Sequence, residues 1–175
     1  MAKERTGVVT MKGNPVVLLG PSLKVGDMAP EFAAVDRQWQ KVSLSRFRGK
    51  VVLISAVPSV DTGVCSLQTK RFNDAAATLP PDAVVLTISQ DLPFALSRFC
   101  GAEGIERLQV LSDHVDAEFG MAYGVLIKGM RLLARAIFVV DKGGRIAYIE
   151  LVPEISQHPN YDAALEAVRR LTDKA

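Results

Sequence analysis

Lys50-Val51-Val52-Leu53-Ile54-Ser55-Ala56-Val57 is a nearly unbroken apolar, β-branched run, and Pro58 stops it. It lacks the alternation of a half-solvated strand and suits a central strand covered on both faces. Just downstream, Val64, Leu67, Phe72 and Ala75-Ala76 recur at helical spacing and predict a helix over 64–77. Val84, Val85, Leu86 and Ile88 then mark a second buried strand within Asp82–Gln90.

Toward the N-terminus, Val8–Met11 and Val16–Leu19 flank the turn-rich Lys12-Gly13-Asn14-Pro15, which reads as a hairpin. Gly20-Pro21 ends its second strand. A polar, breaker-rich link leads to a short strand near Phe32–Val35, a weaker strand at Lys41–Leu44 and a helical turn at Ser45–Phe47. Toward the C-terminus, a helix is expected over Pro93–Cys100, with Pro93 in its first turn and Gly101 just beyond its end. Leu108–Leu111 reads as a strand and Ala117–Tyr123 as a short helix ended by Gly124. Leu132–Asp141 and Arg145–Val152 read as strands joined at Lys142-Gly143-Gly144, and Tyr161–Thr172 as the last helix, supported at its start by Asn160 or Asp162.

Strands alternating with helices, closed by a hairpin and a helix, imply an α/β fold of three layers with a mixed central sheet and an N-terminal β-hairpin. No repeat or linker divides the 175 residues, so one domain, 1–175, is expected. A formal net charge of +2, with scattered Lys and Arg, gives no basic face for nucleic acid or a membrane surface. No apolar h-region follows the charged first residues, and no apolar run is long enough to span a bilayer. A cytoplasmic location is expected, where thiols are kept reduced.

The chain has two cysteines, Cys65 and Cys100. A reducing compartment leaves two isolated buried thiols or a redox pair. The two histidines, His114 and His158, lack ligand-like spacing, so no metal is expected. Cys65 falls in the first turn of the helix that follows the central strand. Free N–H groups and the positive end of the helix dipole there favour an anion such as a thiolate. Thr62, three residues earlier, is placed to cap that helix or to hold the sulfur and an incoming oxygen, and Pro58 to shield the thiol and fix the loop. Each feature also has a plain structural reading, because cysteine is a common core residue, threonine a common cap and proline a common strand terminator.

Pro58-Ser59-Val60-Asp61-Thr62-Gly63-Val64-Cys65 contains Pro-x-x-x-Thr-x-x-Cys and resembles the active-site segment of peroxiredoxins, specifically of the thiol peroxidase subfamily, the atypical two-cysteine peroxiredoxins. Ser97-Arg98-Phe99-Cys100-Gly101-Ala102-Glu103-Gly104 resembles the subfamily's resolving-cysteine segment. Ala122-Tyr123-Gly124-Val125, Leu133-Ala134-Arg135-Ala136 and the N-terminal hairpin extend the similarity over the whole chain. The resemblance implies a thioredoxin-like fold, a homodimer, and reduction of hydrogen peroxide and organic hydroperoxides, with a taste for alkyl and lipid ones. It implies Cys65 as the peroxidatic residue, Cys100 as the resolving one, an intramolecular disulfide between them and recycling by thioredoxin, with no cofactor. It also implies that Arg135, which interrupts the apolar strand Leu132–Val140, faces Cys65. Val60, Val64 and Phe94 are candidates to line a pocket for apolar peroxides, and Trp39 is a candidate reporter of redox state. A thiol–disulfide oxidoreductase would need C-x-x-C, and Thr62 stands where its first cysteine would be. A non-enzymatic peroxide sensor using the same cysteine pair is the alternative from another class.

Overall fold

Lys12 and Gly13, at φ 50° and 80°, turn the chain between β1 (Glu4–Met11) and β2 (Asn14–Leu19). This is a two-residue hairpin turn that needs left-handed backbone at both positions. The four-residue junction expected from sequence is therefore two residues shorter, and Asn14 and Pro15 pair within the ladder. β3 (Ala33–Val35) and β4 (Lys41–Ser43) follow, then a 3₁₀ turn at Leu44–Phe47. The decisive run forms β5 (Val51–Ala56), buried at every position. Next come α1 (Gly63–Ala76), β6 (Ala83–Ser89), α2 (Pro93–Glu103), β7 (Gln109–Ser112) and α3 (Glu118–Ala122). The chain closes with β8 (Leu126–Ile127), β9 (Ala136–Val140), β10 (Ile146–Leu151) and α4 (Tyr161–Thr172). This computed structural model describes residues 2–173.

Seven strands form the central sheet in the order β10-β9-β5-β6-β7-β3-β4. β5, β6 and β7 run parallel, and β9, β10, β3 and β4 add antiparallel neighbours, so the sheet is mixed as expected. One face packs against α1, α2 and α4 through Phe72, Leu96, Phe99, Leu165 and Val168. The other carries Phe32, Phe119, Tyr123 and Phe138, and beyond them α3 and the small sheet β1-β2-β8. The result is three layers.

Two expectations need correction. α2 does not stop at Cys100; Gly101 lies inside it, and Gly104, at φ 67°, ends it with its N–H donated to the Cys100 carbonyl. β9 begins at Ala136, four residues later than expected, so Arg135 precedes the strand instead of interrupting it. The cause is β8, which sequence reading missed. Leu132 accepts from the Ile127 N–H and Ala134 donates to the Val125 carbonyl, so this segment pairs away from the central sheet.

Candidate active site

β5 ends at Ala56, beside the end of β6, and the chain crosses through Pro58, Ser59 and Val60 to α1. The ends of parallel strands are where such folds build sites. Asp91, just after β6, holds this crossing. Its carboxylate accepts from the Ser59 hydroxyl (2.7 Å), the Val60 N–H (2.9 Å) and the Ser89 hydroxyl (2.7 Å). Sequence reading missed Asp91; its only signal was its place at a strand end. Pro58 is buried on the crossing, and Val60 is core and does not line an open pocket.

Thr62 caps α1. Its Oγ1 accepts from the Cys65 N–H at 3.3 Å and donates to the Ser59 carbonyl at 3.2 Å. Of the two roles expected for Thr62, the geometry has the cap. Cys65 thus sits in the first turn, where the N–H groups of Gly63 and Val64 have no intrahelical acceptor. The Cys65 side chain is fully enclosed, at 0% exposure.

Arg135 reaches Cys65 from the segment before β9. Its Nη2 donates to Cys65 Sγ at 3.4 Å, its Nη1 to Gln68 Oε1 at 2.8 Å and its Nε to the Ile155 carbonyl at 2.9 Å. Gln68 in turn donates to the Ser55 hydroxyl at 2.6 Å. Arg135 is 2% exposed and Gln68 and Ser55 are wholly buried. Among the described residues no carboxylate pairs with Arg135. A guanidinium stays charged at every working pH, and a buried charge without a counter-charge is costly. The group in contact with it that can become an anion is the Cys65 sulfur. Gln68 was legible in principle, since three residues along a helix returns to the same face. Ser55 was the one hydroxyl within an apolar strand.

Cys100 lies on the buried face of α2 among Leu96, Phe99 and Ile105. Burial pushes its thiol up, and the charge of Arg37 acts in the opposite sense. Both cysteines are free thiols. Two exposed ion pairs link their neighbourhoods, Arg98 of α2 to Asp61 just before α1 at 3.2 Å and Lys70 of α1 to Glu103 of α2 at 3.0 Å. Phe94 is exposed on α2 and packs on Trp39, with ring centroids 5.5 Å apart.

The family model described as Redoxin matches residues 24–165. The chain belongs to the Redoxin family. Among its redoxin relatives is the thiol peroxidase of Listeria monocytogenes serotype 4b, 56% identical over 162 residues that span 93% of this chain and 98% of that one. The thiol peroxidase of Bacillus subtilis is 52% identical over 163 residues, covering 93% and 97%. A peroxiredoxin-like protein from Aquifex aeolicus superposes with a TM-score of 0.89 at 43% identity, covering 97% of this chain and 98% of that structure. The fold is accordingly thioredoxin-like in the peroxiredoxin manner, and this redoxin is a thiol peroxidase of the peroxiredoxin type.

Proposed function

We propose that Cys65 is the attacking thiolate and that Cys100 resolves its oxidised product. The observation that carries this is the buried Arg135 guanidinium, which donates to Cys65 Sγ and has no carboxylate among the described residues. A thiolate at Cys65 supplies the missing counter-charge. It attacks one oxygen of hydrogen peroxide or an organic hydroperoxide. The S–O bond forms, the O–O bond breaks, and the leaving oxygen takes up a proton to depart as water or an alcohol. Arg135 and the free N–H groups of the first turn stabilise the charge that grows on that oxygen. Thr62 holds the turn in place through the Cys65 N–H, and Pro58 fixes the approach of the chain.

Cys100 then attacks the Cys65 sulfenic sulfur, giving an internal disulfide and water. A disulfide needs Cα atoms within about 7 Å, and both thiols are buried on separate helices, so α2 and the first turn of α1 unwind during this step. An external dithiol, thioredoxin, reduces the bond by exchange. The protein works as a single-domain homodimer in the cytoplasm.

The test is a thiol count and intact mass after one equivalent of cumene hydroperoxide is added to the reduced protein. Rapid loss of both thiols, with the mass of an internal disulfide and a monomer on non-reducing gels, is expected. Two thiols persisting through the treatment would withdraw the assignment.

A further inference from the structure

The peptide group between Ser59 and Val60 is held on both sides. Its N–H donates to the Asp91 carboxylate at 2.9 Å. Its carbonyl accepts from both the N–H and the hydroxyl of Thr62, each at 3.2 Å. A threonine hydroxyl has one proton to give. That proton goes to the Ser59 carbonyl, so a lone pair of Thr62 Oγ1 is left facing the Cys65 N–H, which donates to it at 3.3 Å. The orientation of this one peptide group therefore decides where the cap of α1 points.

Asp91 is itself anchored. Its N–H donates to Ser89 Oγ at 3.2 Å, and its carbonyl accepts from the Ser112 hydroxyl at 2.5 Å. Ser89 and Ser112 are partners where the ends of β6 and β7 pair, and both are buried. One carboxylate oxygen accepts from the Val60 N–H and the Ser89 hydroxyl, and the other from the Ser59 hydroxyl. Asp91 joins none of the ion pairs of the described residues, so its carboxylate is committed to these three donors. None of its partners belongs to α2 or to the first turn of α1. The anchor thus persists while those two segments open.

We infer that Asp91 is a positioning residue for the Cys65 reaction, which aims the Thr62 hydroxyl at the Cys65 N–H through the Ser59–Val60 peptide. The inference rests on the reading of Cys65 as the attacking thiolate and adds the residue that sets its register. Without that register the first turn loses its cap, and the sulfur and the free N–H groups shift against Arg135. A misplacement of about 1 Å can slow a step by about 100-fold.

Three variants separate position from charge. Asp91→Ala leaves the Val60 N–H without its acceptor and frees the peptide to turn. Asp91→Asn keeps one oxygen for the Val60 N–H and the Ser89 hydroxyl, and its amide N–H can donate to Ser59 Oγ. Asp91→Glu keeps the charge and carries it one methylene too far. Reduced protein is mixed with cumene hydroperoxide well below the Tm of each variant. Samples are quenched at intervals into denaturant with N-ethylmaleimide, and peptide mass reads the loss of the Cys65 thiol. Asp91→Ala and Asp91→Glu are expected to be at least about tenfold slower than the wild type. Asp91→Asn should recover most of the rate. In a Thr62→Val background Asp91→Ala should add little, because both changes break the same relay.

Asp91→Ala at the wild-type rate would overturn the inference, even with a lowered Tm. So would Asp91→Asn as slow as Asp91→Ala, or a full tenfold loss added on top of Thr62→Val. If Asp91→Ala does not fold, Asp91→Glu decides in its place, and wild-type speed in that variant overturns the inference. If Cys65 of the wild type keeps its thiol throughout, the reading of Cys65 falls and the role of Asp91 with it.

Discussion

Arg135→Met leaves an unbranched side chain in place of the guanidinium and removes the charge. The buried Gln68 Oε1 and Ile155 carbonyl then lose their donor, which costs the fold about 1–3 kcal/mol for each. In the proposed mechanism the reaction depends on the donor, and loss of one such donor typically slows a step by about 100-fold or more. The variant is therefore expected to fold with a lower Tm than the wild type and to lose at least about 100-fold in the rate of Cys65 oxidation. Stopped-flow measurement with cumene hydroperoxide checks this. Arg135→Lys should not restore the rate, because an ammonium cannot hold Gln68, Ile155 and Cys65 with one planar fork. A lysine variant with wild-type speed would mean that bare charge suffices. At this scale much of the site was legible. A charge beside an apolar strand invites a search for its counter-charge, and Cys65 was already marked by its helix end. What was not legible is the support. Gln68, Ser55 and Asp91 act through hydrogen bonds between segments distant in sequence, and no local pattern announces such contacts.

The elements proposed to move are held by the core and, at their edges, by exposed contacts. The edge contacts are Lys70 to Glu103 between α1 and α2, Arg98 of α2 to Asp61 just before α1, and Asn73 of α1, whose Oδ1 accepts from the Glu106 and Arg107 N–H groups just after α2. Exposed pairs contribute under about 1 kcal/mol each, so the main cost of a local opening is exposing the buried Leu96 and Phe99 side chains of α2. Hydrogen exchange on the disulfide form is expected to show faster exchange over Pro93–Glu103 and the first turn of α1 than on the reduced form, while β5 and β6 stay protected. Equal protection in both states would rule out the unwinding. The long elements were readable because their periodicity is strong: α4 starts and stops where the apolar stripe says, with Asn160 accepting from the Ala163 N–H as its cap. The failures have a common origin. Gly101 looked like a stop, but a glycine only ends a helix when it can take the left-handed form, and Gly104 does so three residues later. β8 is two residues long, too short for any period to register, yet it diverts Leu132–Ala134 from the central sheet.

Across the whole molecule, the N-terminal hairpin is fastened at two places. Gly20 and Gly124, at φ 108° and 69°, bring two backbones so close that a Cβ on Gly124 would run into the Pro21 carbonyl, and Arg5 donates to both glycine carbonyls. The second fastening is Glu154, which accepts from the Thr10 hydroxyl, the Gly13 N–H and both the N–H and hydroxyl of Ser156. The Ser156 hydroxyl, followed by backbone donors, holds its carboxyl down to about 2 from an ordinary 4.5. A depressed carboxyl stabilises the fold fully above its ordinary value, and that stability is lost as pH falls toward the folded one. Between pH 4.5 and 2 the Tm of the wild type should therefore drop more steeply than that of Glu154→Gln. Parallel curves through that window would remove Glu154 as a cause of acid sensitivity.

The complete enclosure of the Cys65 sulfur has a consequence of another kind. Many oxidants and electrophiles in a cell can react with a thiolate, and most are bulky. A sulfur with no open face meets a reactant only through an opening of the structure around it, so the fold sorts its targets by girth before chemistry begins. A narrow opening favours a reactant whose reacting end is a few atoms across over a protein disulfide.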